Sequence, residues 1–572
     1  MKKIIASMIV AGLLLINLVA FVDVTRSASK APFANIYVDD DNTQGPWDGT
    51  LEHPYRTIID GVDNASEGDT VFVFNGIYSN EYIYVKKSIK LVGENKYNAI
   101  IDGPYSAVEV EDTINNQILD GFEIRNFMLR DPYAIYLYDC SHSIVNENIL
   151  IGDSRGVILT NCSNCTVSNN VIEAPWDTIT LRVDCVNNKI NGNYLYGFNE
   201  SGSGIDISSG SNDNIISNNI ISNCEEGLSV LLSQRAIITD NNFINSTNFG
   251  VTLIDSPNST ISGNKITNGS HGIDMDSSDD VTISDNTIKD NTYGINLGCS
   301  KNIEVSHNIL DNNPCGIFFG LIKNSICSNN TVSNSSETGI DIMDSGSIDS
   351  NNIISYNSVR DCYNGIMSEQ SWGNNYKNNN VSFNEFGIII YGAANFNVIT
   401  KNEIRKNGCG VVIYGFKQGK TYAPTDNWVV GNNICENTNC GVYATELTRL
   451  NHIYYNNLVG NDLNAFDNGT NIWYKFKLLG KSMGNYWDNY TGQDSNNDGI
   501  GDSPYDVPPL PFRNKDNYPS MEPIDVDNIE ISCAKLIQSS PQSQPQSEPG
   551  SQRRSMQGST TTQYKTGSTT NK

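Results

Sequence analysis

The chain has 572 residues, with 64 Asp and Glu against 37 Lys and Arg and a net charge of −27. That balance argues against a nucleic-acid partner, because binding phosphates calls for a basic face. The length admits several ordinary domains or one long repeat array.

Residues 1–29 open with two lysines and an apolar run from Ile4 to Val22. This reads as a secretory signal cut between Ala20 and Ser29, with an uncleaved membrane anchor as the alternative. The rest is expected to be soluble and exported, secreted or at the cell surface, meeting a membrane only through such an anchor. In residues 30–105, the stretch TIIDGVDNASEGD reads as a short helix. Thr57 and Asp60 form a capping box, Ile58, Val62 and Ala65 share one face, and Gly68 stops it. It is expected to plug the first of a series of coils.

Residues 106–465 repeat. An apolar residue, two small or polar ones, Asn, any residue and an apolar one recur, placing Asn148, Asn170, Asn193, Asn219, Asn241, Asn264, Asn286, Asn308, Asn330, Asn357, Asn379, Asn402, Asn432 and Asn456 in one column. Gly156, Gly204, Gly227, Gly250, Gly272, Gly294, Gly316, Gly339, Gly365, Gly387, Gly410 and Gly441 form a second. A period of about 22 residues is too short for paired helices, and apolar residues alternate as in strands. The chain is therefore expected to be all-β: a right-handed parallel β-helix solenoid of about 15 to 17 coils, stacked at about 4.8 Å. Ile261, Ile283, Val305 and Cys327 should form one interior row. The asparagines are expected to tolerate left-handed backbone and to hydrogen-bond as a ladder, the glycines to supply positive φ. Cys140, Cys162 and Cys185 lie one repeat apart, favouring stacked buried thiols over disulfides.

Longer intervals mark insertions near residues 196–203, 343–351 and 414–428, and loops on a rigid scaffold are where binding usually sits. In the third, Tyr414, Lys417, Tyr422 and Trp428 are candidate sugar-binding residues, since aromatic faces stack on sugar rings and lysines suit acidic sugars. Where Ile295 and Leu297 point inward, Asn296 points outward, in one row with Asp206, Ser229, Thr252, Asp274, Phe318 and Asp341. Asn296 and Thr252 are further candidates for substrate contact. Asp206, Asp274, Asp276 and Asp341 are candidate catalytic carboxylates, because a glycoside hydrolase needs an acid and a base flanking one bond; a solvated acidic face is the competing reading.

Residues 466–530 form the C-terminal cap. Asp494, Asn496, Asp498, Ile500 and Asp502 have the oxygen-donor spacing of a calcium loop, with glycine at position six, although Tyr505 replaces the bidentate Glu at position twelve. Calcium is expected there as a structural staple. Residues 531–572, rich in Ser, Gln, Pro and Thr, are expected to be a disordered tail.

The repeat column, the opening IYVDDDNTQGPWDGTLEHPYRTIIDGVDNASEGDTVFVFNGIY and the ending GNYWDNYTGQDSNNDGIGDSPYDV resemble the exported NosD-like β-helix proteins over residues 35 to 525. The resemblance implies a pectin-lyase-like scaffold with carbohydrate-binding or sugar-hydrolysing relatives. It also implies an association with copper, which the few histidines and methionines of this chain do not support. The resulting expectation is a surface protein that binds polysaccharide or cell-surface glycans. The alternatives are a polysaccharide hydrolase or lyase and a purely structural surface-layer or adhesion protein.

Overall fold

The computed structural model describes residues 36–529 except 104–106, 112–118, 131–134, 153–154, 199–201, 344–349, 476–481 and 510–513. The expected signal and the expected tail lie outside the described residues. No helix among those residues is long and apolar enough to cross a membrane.

Each period folds into three short strands separated by tight corners. Residues 282–310 show the unit: Thr282–Ser284 in sheet I, Thr287–Lys289 in sheet II, Tyr293–Gly298 in sheet III, then Glu304–Ser306 back in sheet I. Each strand pairs in parallel and in register with its equivalent one period on, Ile283 with Val305 and Ile295 with Ile317. The result is a parallel β-helix of about 16 turns. Alternation sends every second side chain inward. Ile261, Ile283, Val305 and Cys327 form the expected interior row, each with no exposed surface.

The helix Ile58–Asn64 covers the first coil. Thr57 Oγ1 accepts from the Asp60 N–H and donates to Asp60 Oδ2, at 3.1 and 2.7 Å, and Ile58, Val62 and Ala65 are buried. The far end is covered by Trp473 and Trp487, both buried, with rings 5.6 Å apart.

The asparagine column forms the expected ladder. The Asn286 N–H and Nδ2 both donate to Asn308 Oδ1 at 3.0 Å, and Nδ2 also donates to the Ile261 carbonyl at 2.9 Å. The left-handed residue, however, is the one before each asparagine, such as Asp285 (φ 59°), His307 (φ 58°) or Tyr356 (φ 57°). The amide is needed for its donors and acceptor, and its neighbour makes the bend. The glycine column departs from expectation too, because none of its members has positive φ. A Cβ on Gly294 would sit 2.5 Å from the Gly316 carbonyl oxygen and 2.6 Å from Leu310 Cδ2. Glycine is there because neighbouring coils and an interior side chain leave no room.

Two further ladders run at the other corners: Asn384, Asn407, Asn437 and Asn461 between sheets II and III, and Asn352, Asn374, Asn397, Asn427 and Asn451 between sheets III and I. Cys140, Cys162, Cys165 and Cys185 are buried, and all twelve described cysteines are free.

Candidate functional site

Sheet III differs from the other two in strand length. From Ser203–Ser208 to Cys409–Tyr414 its strands have six residues, against three for most strands of sheets I and II, so it presents the broadest outer face. Its central outward row is set by register: Thr180, Asp206, Ser229, Thr252, Asp274, Asn296, Phe318 and Asp341. From Asp206 to Asp341 this is the row expected from sequence, and the register adds Thr180 to it. Seven steps of the coil spacing give it a length of about 34 Å. The insertions at 196–203, 343–351 and 414–428 each join a sheet III strand in sequence; residues 199–201 and 344–349 of the first two lie outside the described residues.

Three oxygens in this row are buried without a hydrogen-bond partner: Thr180 Oγ1, Thr252 Oγ1 and Asp341 Oδ1. Such groups are uncommon in folded proteins because each forfeits its hydration. The carboxylates alongside are raised by the same cause. Burial pushes Asp206 up to about 6, with Asp177 adding repulsion. Burial pushes Asp341 up to about 7, with Glu369 contributing. Asp274 and Glu226 also rise through burial, although Asn296 Nδ2 donates to Asp274 Oδ1 at 2.6 Å and favours its ionised form. Asp276 points outward from the same strand beyond the buried Met275, and it is exposed. The four candidate carboxylates therefore share one face, three of them in one row.

Aromatic rings line both sides of the row. Along the first outward column Phe249 is tilted against His271 at 5.1 Å, and His271 stacks on Tyr293 at 4.9 Å. The next member of that column is the smaller, buried Cys315. On the opposite side Tyr391 stacks on Tyr414 at 5.6 Å and on Phe416 at 5.1 Å, and Phe416 stacks on Tyr422 at 4.9 Å. Phe416–Gln418 and Lys420–Tyr422 pair as a hairpin that carries exposed Lys417. Trp428 does not join them. It lies buried in sheet I with its ring parallel to that of His452 at 5.4 Å. Tyr293, His271 and Tyr391 escaped the sequence reading because each is an isolated aromatic until the register is known.

The N-terminal end of the face carries a second feature that sequence did not expose. Tyr82, Glu109, Tyr136, Tyr138, Arg155, Ile158 and Arg182 line a cleft of about 400 Å³. Glu109, Tyr136 and Ile158 continue the central row back from Thr180.

In the acidic loop, Asp494 Oδ1 and Asn496 Oδ1 both accept from the Asp498 N–H, at 3.1 and 3.0 Å. Asp498 Oδ1 accepts from the Ile500 N–H, and Asp502 Oδ2 from the Ser495 N–H, both at 2.9 Å. Oxygen donors are the kind a hard cation takes, but here they accept from the loop's own N–H groups, and Asp494, Asp498 and Asp502 do not group as a metal site. Copper fits less well, since soft donors are needed. Among the described residues, no three His, Cys, Asp or Glu side chains group to hold a metal, and the buried Cys140 and Cys162 thiols donate to the Tyr138 and Leu137 carbonyls.

No curated protein matches the chain. Solved structures with a similar course include a PL6 family alginate lyase, AlyGC, at 13% identity and TM-score 0.42, covering 71% of this chain and 77% of that one. PfbA, a surface adhesin of Streptococcus pneumoniae, matches at 14% and 0.35, covering 56% and 89%. The catalytic unit of a GH87 α-1,3-glucanase from Streptomyces thermodiastaticus matches at 13% and 0.33, covering 71% and 70%. A right-handed β-helix region is matched over residues 180–326. The model of the periplasmic copper-binding protein (NosD) family matches residues 62–249, 295–423 and 419–492, more than half of the sequence. With the coil architecture, this establishes that the chain belongs to the NosD family of right-handed β-helix proteins.

Proposed function

We propose that this is an exported or cell-surface protein that binds polysaccharide along the outer face of sheet III. The observation that carries the reading is the set of unpartnered, buried Thr180 Oγ1, Thr252 Oγ1 and Asp341 Oδ1 in one row. Sugar hydroxyls both donate and accept, so a glycan lying along the row supplies the missing partners. The His271–Tyr293 and Tyr391–Tyr414 ring pairs provide apolar surface on either side for sugar rings. A glycan array at physiological salt, followed by titration of the best ligand, tests this. Tyr293→Ala should weaken binding about tenfold, in line with roughly 1.4 kcal/mol per stacked ring. Absence of binding across the array refutes the proposal.

A second reading is supported by the acid row: hydrolysis or β-elimination on the bound chain with Asp274 as a participating group. Its carboxyl is raised by burial and accepts a hydrogen bond from Asn296. Release of reducing or unsaturated ends, lost in Asp274→Asn, supports catalysis. Silence with a polysaccharide that binds leaves a binding protein.

A further inference from the structure

The cleft at the N-terminal end of sheet III has a charge opposite to the rest of the molecule. Arg155 and Arg182 both line it, in a chain with net charge −27. Arg182 stands on strand Ile179–Arg182 directly after Leu181 and two residues from Thr180, at the start of the unpartnered row. Its Nε donates to Thr160 Oγ1 at 3.1 Å, which fixes the plane of the guanidinium, and among the described residues its terminal nitrogens form no ion pair with a carboxylate. Arg155 makes a loose contact with Asp177, Nε to Oδ2 at 3.7 Å, and lies near enough to Asp206 to act on its charge. Tyr136 and Tyr138 lie parallel, 5.9 Å apart, in the same lining, and the register neighbour of Tyr138 is the small Thr160. Tyr82 donates its hydroxyl to Glu109, a carboxyl raised by burial, and Glu111 adds to the rise.

An oriented guanidinium with free terminal N–H groups is a fork for a carboxylate or sulfate, and it is costly to leave unused in a half-buried cleft. Neighbouring tyrosines add ring faces and hydroxyls suited to a sugar. We infer that this cleft is an anionic-sugar subsite, in which Arg182, assisted by Arg155, holds the carboxylate or sulfate of one residue of a glycan continuing along the row from Thr180. This rests on the reading of sheet III as a polysaccharide face and adds the charge class of the glycan. The acidic remainder of the molecule repels a polyanion at long range, so recognition depends on these two arginines and on salt screening.

The test is a titration of the full chain with a polyuronate, the same polymer with its carboxyls reduced to alcohols, and a sulfated neutral-backbone glycan. The proteins are wild type, Arg182→Met, Arg182→Lys and Tyr293→Ala. The polyuronate or the sulfated glycan should bind at least tenfold more tightly than the reduced polymer. Arg182→Met should erase that preference, and Arg182→Lys should restore only part of it, because an ammonium cannot fork. Binding of one anionic polymer and not the other assigns carboxylate or sulfate. Equal binding of the reduced polymer, or an unchanged preference in Arg182→Met, overturns the subsite while leaving a neutral-glycan face that Tyr293→Ala still weakens. Failure of every polymer to bind overturns both the subsite and the reading beneath it.

Discussion

Replacing Asn286 by leucine isolates what one rung of the ladder contributes. The substitution keeps size and leaves the strands untouched, yet it removes four hydrogen bonds. Asn286 Nδ2 no longer donates to the Ile261 carbonyl and Asn308 Oδ1, and Asn286 Oδ1 no longer accepts from the Asn264 N–H and Nδ2, at 2.9 and 3.0 Å. Asn264 Nδ2 keeps two other acceptors, the Ile238 and Ser262 carbonyls, and Asn308 Oδ1 keeps the Asn286 N–H. The group stranded inside the core is the Asn264 N–H, because the Ile261 carbonyl keeps its ladder partner, the N–H of Ser284 on the next coil. At about 1–3 kcal/mol for a buried group left unmet, the loss is about 1–3 kcal/mol. The outward Thr282→Val on the preceding strand should move stability by no more than about 0.5 kcal/mol. Asn286→Asp adds a second check, since a carboxylate still accepts from Asn264 but donates nothing to Ile261 or Asn308. That variant should be weak at neutral pH and recover as acid restores a donor. Urea unfolding followed by circular dichroism measures all three. A loss in Asn286→Leu no larger than that in Thr282→Val refutes the argument that these amides hold the corners.

Gly294→Ala should cost about 1–3 kcal/mol by the same assay although its φ is ordinary, because the new methyl meets the Gly316 carbonyl and Leu310; an unchanged midpoint would mean that the coils are free to part there. Glu81 is buried, accepts from the Ile59 N–H at the start of the cap helix, and is raised by burial from 4.5 to about 7. The folded state therefore keeps this proton to higher pH than the unfolded chain, and stability should fall by up to about 3 kcal/mol as pH rises from 4.5 through 7. Glu81→Gln should flatten that part of the stability–pH curve, and a slope unaltered by it assigns the dependence elsewhere. Calcium at the loop of Asp494, Asn496 and Asp498 is a proposal with its own readout: a chelator should lower the melting temperature, and Asp498→Ala should abolish the difference. Identical melting with and without chelator removes calcium from the cap.

The fold was legible because stacking makes sequence periodic. A residue meets its own equivalents one coil away, so the Asn286–Asn308 contact is printed in the chain as a repeat of 22. The columns alone did not reveal why each residue is used. Positive φ and close packing both select glycine, and only coordinates showed that Gly294 is there for space and Asp285 for the bend. The acid row of Asp206, Asp274 and Asp341 was legible for the same reason as the core. The Arg155–Arg182 cleft was not, because it draws on Tyr82, Glu109, Tyr136 and Tyr138 from three coils whose outward residues follow no repeat. Trp428 was misplaced because proximity in sequence to Tyr422 crosses a corner, from the hairpin to sheet I.

The ladders also have a direction, and that direction dictates the chemistry of the ends. Every rung donates toward the next coil and accepts from the one before, so the first rung needs a donor and the last an acceptor with nothing left to give. Asn148 Oδ1 receives the Phe127 N–H. At the other end the ladder through Asn456 reaches Asn485, whose N–H donates to Asp516 Oδ2 at 2.7 Å, beside Trp487 Nε1 at 2.9 Å. The ladder through Asn451 reaches Asn471, which donates to Asp467 Oδ1 at 2.8 Å, while Trp473 Nε1 takes Oδ2 at 2.8 Å. The ladder through Asn437 reaches Asn461 and Asn464, and Asn464 donates to Asp488 Oδ1 at 2.7 Å. Three ladders of amides thus end on three carboxylates. An ionised aspartate has the shape of asparagine without its donors, which is what a terminating rung requires. Two of the three also anchor the indoles that cover the core. The cap residues Asp467, Asp488 and Asp516 therefore follow from the same hydrogen-bond bookkeeping as the repeat they close, and the acidic C-terminal segment is the stop signal of the solenoid.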